Sequence, residues 1–174
     1  MDINKLKSLD KKYIANTYAR FNIALMEGMG SLAYDINGKE YIDLTSGIGV
    51  NIFGFSDPGH IGAIVSQLTK IQHASNLFYT EPMILLAEKL CKRTGLKKIF
   101  FANSGAEANE GAIKLARKYS SKKYKDKKRR EIITLKNSFH GRTLGAISAT
   151  GQDSFHKDFD PFLPGFRYTE ANDI

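Results

Sequence analysis

A chain of 174 residues, 42% hydrophobic and 25% charged, can bury a core without disulfide or metal staples. Its single cysteine, Cys91, excludes a disulfide framework and a cysteine-rich zinc site. No apolar run is long enough for a spanning helix, and the first residues carry no secretion signal, so a cytoplasmic protein without a membrane partner is expected. The net charge of +8 is local: residues 122–130 hold seven basic side chains and one acid, which leaves +2 for the remainder. That segment reads as a solvated helix end running into a loop, and no nucleic-acid partner is expected.

In chain order, Ile3, Leu6, Leu9, Tyr13 and Ile14 among lysines form an amphipathic arm, suited to packing on a partner subunit. From Ser31 to Leu44 the pattern alternates around Asn37-Gly38, predicting antiparallel strands at 31–36 and 39–44. Asp57 and Pro58 open a helix with Ile61, Ile64, Val65, Leu68 and Ile71 on one stripe. Thr80 and Pro82 open the next, with Met83, Leu86, Ala87 and Leu90 inward, Cys91 as a packed inert thiol and Gly95 as terminator. Lys97 to Ala102 reads as a short strand, followed by a helix at 106–121 whose inward stripe is Ala108, Ala112, Leu115, Ala116 and Tyr119. Glu131 to Leu135 is the next strand. Strand, helix and strand in this span predict a βαβ unit, hence an α/β protein with a parallel sheet covered by helices. Turns dominate from Gly151, and Phe166 to Thr169 can start a further strand.

Two constellations carry chemistry. Asn103 to Glu110 sits where a strand ends and a helix begins, so unpaired backbone N–H groups, the helix dipole and the Ser104 hydroxyl converge on a place suited to phosphate. On spacing alone, Ser104-x-x-Glu107 reads first as a capping box that needs no ligand. The pattern is neither a phosphate loop of nucleotide hydrolases nor a dinucleotide fingerprint. The second constellation, Ser138 to Thr143, follows the next strand at the sheet end where ligands bind. Phe139 offers a ring face and Arg142 a fork for a carboxylate. The four histidines show no ligand spacing, and no metal site is expected.

Residues 103–119 (NSGAEANEGAIKLARKY) resemble the phosphate-binding segment of the class III aminotransferases, which use pyridoxal phosphate. Residues 138–152 (SFHGRTLGAISATGQ) resemble the segment that follows it in that family. Residues 41–51 (YIDLTSGIGVN) and 75–79 (SNLFY) match further family segments, in order, and the acetylornithine aminotransferase branch fits best.

The resemblance implies a partial fold-type I architecture. Residues 1–55 would be the arm and hairpin of the small domain, and 56–174 the first part of the cofactor-binding large domain. It implies pyridoxal 5′-phosphate held by Ser104, Gly105 and Ala106, with Phe139 stacked on its ring. Arg142 would hold the α-carboxylate, with Val50, Asn51 and Tyr79 near the substrate and Asn76 and Tyr79 where the family builds sites across a homodimer. The implied enzyme transfers the amino group of N-acetyl-L-ornithine to 2-oxoglutarate by a ping-pong route in arginine biosynthesis. Ornithine, succinylornithine or 4-aminobutyrate are alternative donors, and a non-catalytic fragment that binds a partner subunit is a separate alternative. Gly54 to His60 departs from the family's Gly-His-x-His-Pro stretch. The Schiff-base lysine and the aspartate facing the pyridine nitrogen lie downstream of Ile174 in the family, and Lys114 and Lys136 stand in other contexts. No catalytic residue is therefore assigned here. The 174 residues alone are expected to be inactive, with apolar faces and a sheet edge exposed.

Overall fold

The computed structural model describes residues 1–124 and 129–172, so the middle of the basic run lies outside the described residues. Contacts divide the chain into two units, Met1–Tyr79 and Thr80–Ile174.

In the first unit the amphipathic arm is helix α1 (Ile3–Tyr13), capped by Asp2, whose carboxylate accepts the Lys5 N–H at 2.8 Å. A three-stranded antiparallel sheet follows, β1 (Leu25–Met29), β2 (Leu32–Asp35) and β3 (Glu40–Ile42), in that order. The β2–β3 hairpin is the expected one, with shorter strands. Its turn is built on Asp35: the carbonyl accepts from Gly38 at 2.8 Å, and the carboxylate accepts from Asn37 and Lys39 at 2.8 and 3.0 Å. Gly38, at φ +78°, supplies the left-handed step that returns the chain to β3. Strand β1 carried no readable alternation. It forms because Gly28 lies flat beneath the Phe55 ring, where a Cβ would come within 2.6 Å, and because Gly30 and Phe55 exchange backbone bonds of 2.9 and 2.8 Å.

The next element, α2 (Ser46–Gly49), is a single left-handed turn, with positive φ at Ser46, Gly47, Ile48 and Gly49. For a β-branched residue such as Ile48 this costs on the order of 1–3 kcal/mol, so neighbouring contacts must hold it. Asp43 does so. Its Oδ1 accepts from the Thr45 N–H and hydroxyl, both at 2.8 Å, and from the Ser46 N–H at 3.0 Å. These donors, the Thr45 N–H foremost, hold the Asp43 carboxyl below its ordinary range. Its support is therefore complete above the ordinary aspartate value and lost as pH falls through the lowered one. We expect amide exchange at Val50 and Asn51, corrected for intrinsic rate, to accelerate through that acid window. In Asp43→Ala it should already be fast at neutral pH, and equal protection in the two proteins would refute this role.

Helix α3 (Pro58–Leu68) begins as expected, with the Asp57 carboxylate accepting the His60 N–H at 2.7 Å. Ile71 lies beyond its end. Ile61, Ile64, Val65 and Leu68 share one stripe but remain 46–53% exposed.

The second unit opens with α4 (Glu81–Thr94), whose cap residue Thr80 makes no side-chain bond and whose end is Gly95 in the left-handed conformation. Cys91 is half-buried. Residues 97–102 do not form the expected strand. No described segment pairs with them, and Phe100 packs instead on Gly111, where a Cβ would lie 2.9 Å from its ring. Helix α5 (Gly105–Tyr124) is longer than its sequence pattern, and it buries a different face. Ile113 is buried, with Ala106, Asn109, Glu110 and Arg117 partly covered, whereas Leu115 and Tyr119 are 69% and 58% exposed. The face is chosen by contacts to residues 140–149 described below.

Parallel pairing does occur, between β4 (Ile132–Leu135) and β5 (Phe166–Thr169), so the fold is α/β. Between these strands run α6 (Leu144–Ala149) and α7 (Asp153–His156), neither signalled by a helical period. Helix α6 is the core of this unit: Gly145 to Ala149 are all buried, and Thr150 is fully so. The Ser148 hydroxyl accepts the Leu163 N–H at 2.9 Å, and its carbonyl accepts the Tyr168 hydroxyl at 2.8 Å. Among the described residues, no helix is long and apolar enough to cross a membrane.

Candidate functional site

The first turn of α5 combines both arrangements that the sequence permits. Ser104 Oγ accepts the Glu107 N–H at 3.2 Å, and Glu107 Oε2 accepts the Asn103 N–H and side-chain amide at 2.6 and 3.0 Å. This is a capping box displaced by one residue, closed on Asn103 rather than Ser104. The Ser104 carbonyl takes the Ala108 N–H at 3.0 Å. The N–H groups of Gly105 and Ala106 have no acceptor among the described residues, as expected for the orphan donors of a helix start. Around Gly105 there is open space: a Cβ built there meets no atom within 4 Å. Two unpaired N–H groups, a hydroxyl hydrogen and a helix dipole form a donor set for a phosphate.

The loop from Ser138 to Thr143 is stitched onto this turn. Asn109 Nδ2 donates to the His140 carbonyl at 2.7 Å, and the Thr143 hydroxyl donates to Glu110 Oε1. Gly141 packs against Ala106 so closely that a Cβ would come within 2.7 Å of the Ala106 Cβ. From the other side, the buried Thr150 hydroxyl accepts the His140 N–H at 3.0 Å, and Thr143 caps α6 by accepting the Ala146 N–H at 3.1 Å. At the base of the loop, Asn137 donates to the Gly151 carbonyl at 2.7 Å, and Ser138 Oγ accepts the Gly151 N–H at 3.3 Å.

Phe139 and Arg142 are thereby held on one rigid loop. The Phe139 ring is 53% exposed, and its centroid lies 5.4 Å from that of Phe155. The Arg142 guanidinium lies 5.7 Å from both ring centroids. A half-exposed ring beside a guanidinium can take a flat heteroaromatic group and a carboxylate together.

Ser104, Gly105, Ala106, Phe139 and Arg142 thus belong to one assembly in the second unit. Asn51 and Tyr79 belong to the first. There the Asn51 N–H donates to the Ser46 carbonyl at 2.7 Å, so the left-handed turn sets its position, and Tyr79 is 96% exposed at the end of the unit. The residues that sequence reasoning missed are the stitches: Asn109, Glu110, Gly141, Thr143 and Thr150. For Asn109 and Glu110 the only signal was two polar side chains on the face of α5 that also carries Ala106 and Ile113, the face that proved to be covered; Gly141, Thr143 and Thr150 carried none. His140 Nε2 and Thr134 Oγ1 are buried without a partner among the described residues. Among the same residues, no group of three or more histidine, cysteine or acidic side chains could hold a metal ion.

Residues 13–174 match the family described as aminotransferase class III. The chain is 55% identical, over all its 174 residues, to acetylornithine aminotransferase of Haemophilus ducreyi, of which it spans 44%. It is 49% identical to that of Methanocaldococcus jannaschii, over 95% of this chain and 42% of the relative. Among solved structures, ornithine aminotransferase from Toxoplasma gondii superposes with a TM-score of 0.92 at 26% identity, over 99% of this chain and 41% of that one. N-acetylornithine aminotransferase from Stenotrophomonas maltophilia gives a TM-score of 0.73 at 37% identity, over 95% and 38%. The chain therefore spans less than half the length of these relatives.

Proposed function

The chain belongs to the class III aminotransferases, and from that premise we propose that the whole protein moves the amino group of N-acetyl-L-ornithine to 2-oxoglutarate, in arginine biosynthesis, as a cytoplasmic homodimer. The cofactor is pyridoxal 5′-phosphate, which when bound supplies the electron sink for amino transfer. Residues 1–55 contribute the arm and hairpin of a small domain, and 56–174 the first part of the domain that binds the cofactor.

Within this reading, the Gly105 and Ala106 N–H groups and the Ser104 hydroxyl hold the phosphate at the positive end of α5. The exposed face of Phe139 lies against the cofactor ring and keeps water from that side. Arg142 pairs with the α-carboxylate of the donor and then of the acceptor, so that both bind in one orientation. Asn51 and Tyr79 border the substrate. Proton transfer is assigned to none of the lysines in this chain.

The observation that carries the reading is the junction of the α5 start with the 138–143 loop, because phosphate donors, ring face and guanidinium then share one rigid frame. The donor rests on the acetylornithine aminotransferase name shared by relatives at 43% to 55% identity. Steady-state turnover of the whole protein with 2-oxoglutarate tests it. N-acetylornithine is expected to give a higher kcat/KM than ornithine, succinylornithine or 4-aminobutyrate. A higher value for one of those three replaces the donor and keeps the reaction. No turnover with any donor, and no spectral change on adding pyridoxal phosphate, removes both.

A further inference from the structure

The opposite end of α5 carries a second gathering of positive charge. A cleft of about 610 Å3 opens there, lined by Arg117, Lys118 and Ser121 on one side, Arg130 and Glu131 on the other, and the turn at Pro164. Arg117 lies twelve residues from Gly105, about 18 Å along the helix, so the cleft is separate from the phosphate donors at the α5 start.

Arg117 is held in place before any ligand arrives. Its Nη2 donates to the Pro164 carbonyl at 2.6 Å, and its guanidinium lies 5.4 Å from the Phe166 ring centroid. Its Nε is buried and has no partner among the described residues. Arg130 reaches across to Ser121 Oγ at 3.4 Å. Among the described residues the acid in the lining is already answered: Arg167 grips both Glu131 oxygens at 2.7 and 2.8 Å and holds that carboxyl below its ordinary range. Arg117, Lys118 and Arg130 therefore face the cleft with no ion pair among the described residues.

We propose that this cleft is a second anion site, which takes a small molecule bearing a di- or polyphosphate. Three cations around one opening call for more than a single carboxylate, and arginine forks match phosphate oxygens two at a time. Among the described residues no aromatic side chain lines the cleft, and the Phe166 ring lies under Arg117, so those residues offer no stacking platform of the kind a single-stranded nucleic-acid site uses.

Calorimetric titration of the whole protein with inorganic pyrophosphate tests this, with pyridoxal phosphate in excess so that the α5 start is not open to the probe. The parent protein is compared with the double variant Lys118→Gln, Arg130→Gln; Arg117 is kept because it braces the Pro164 turn. Binding at one site per chain is expected, weakening as salt rises, and at least tenfold weaker in the variant through loss of two charge-assisted contacts. Equal affinity in the two proteins, absence of binding, or binding of a single-stranded oligonucleotide but not of pyrophosphate would each overturn the assignment. None of these outcomes depends on which amino donor the protein uses.

Discussion

Gly141→Ala should lower stability by about 3 kcal/mol and weaken cofactor binding at the same time. Gly141 sits at φ +128°, a backbone region that other residues avoid. The added methyl would stand 2.7 Å from the Ala106 Cβ, 3.0 Å from the Ala106 Cα and 3.1 Å from the Ala146 Cβ. Two of these atoms belong to the first turn of α5 and one to the buried α6, so neither side can yield without shifting a helix. Moving Ala106 also turns an N–H away from the phosphate it is assigned. The urea midpoint and a spectral titration with pyridoxal phosphate, both on the whole protein, read the two effects. A midpoint unchanged from the parent would mean that the loop is not clamped as described.

Arg142→Gln should raise KM for 2-oxoglutarate by roughly 10–10²-fold while leaving pyridoxal phosphate bound. Arg142 is exposed in this chain, and a charge-assisted contact from it to a carboxylate is worth about 1.5–3 kcal/mol, each 1.4 kcal/mol being tenfold. The guanidinium also lies against Phe139 and Phe155, so some of the loss would arise from a ring that is less well held. The two contributions separate by readout: loss of the carboxylate contact raises KM for every α-carboxylate substrate, whereas a displaced Phe139 weakens the cofactor itself. An unchanged KM would remove Arg142 from the carboxylate site.

Much of this architecture was legible wherever a short-range rule governs. Asp57 with Pro58, Asn37-Gly38 and Gly95 each carry a local conformational preference, and the structure starts or stops its elements there. Legibility failed where a distant partner decides the outcome. The Lys97 to Ala102 stretch has strand composition but no ladder among the described residues, so composition alone could not make it a strand. In α5 the apolar stripe and the covered face differ, because Asn109 and Glu110 are tied down by residues more than thirty positions away. Helix α6 was invisible for another reason. From Gly145 to Ala149 it is buried on every side, and it is only six residues long, so it shows no contrast between an inner and an outer face. At the candidate site, the ligand-facing residues stood out by type and spacing, whereas those that hold them in place did not.

The two sheets also differ in when they can exist. The β1–β2–β3 meander closes through short turns and needs nothing beyond Phe55, which braces β1, so its pairing is available as soon as those residues leave the ribosome. Strand β4 waits for a partner more than thirty residues later, Ile132 facing Phe166, with α6 and α7 in the connection. Distant pairing of this kind forms slowly, because the loop must close before any contact rewards it. The contacts that clamp Phe139 and Arg142, Asn109 to His140 and Glu110 to Thr143, span comparable distances along the chain, so by the same rule they form late. A substitution that slows β4–β5 closure would prolong the lifetime of a chain whose hairpin is complete and whose anion cradle is not.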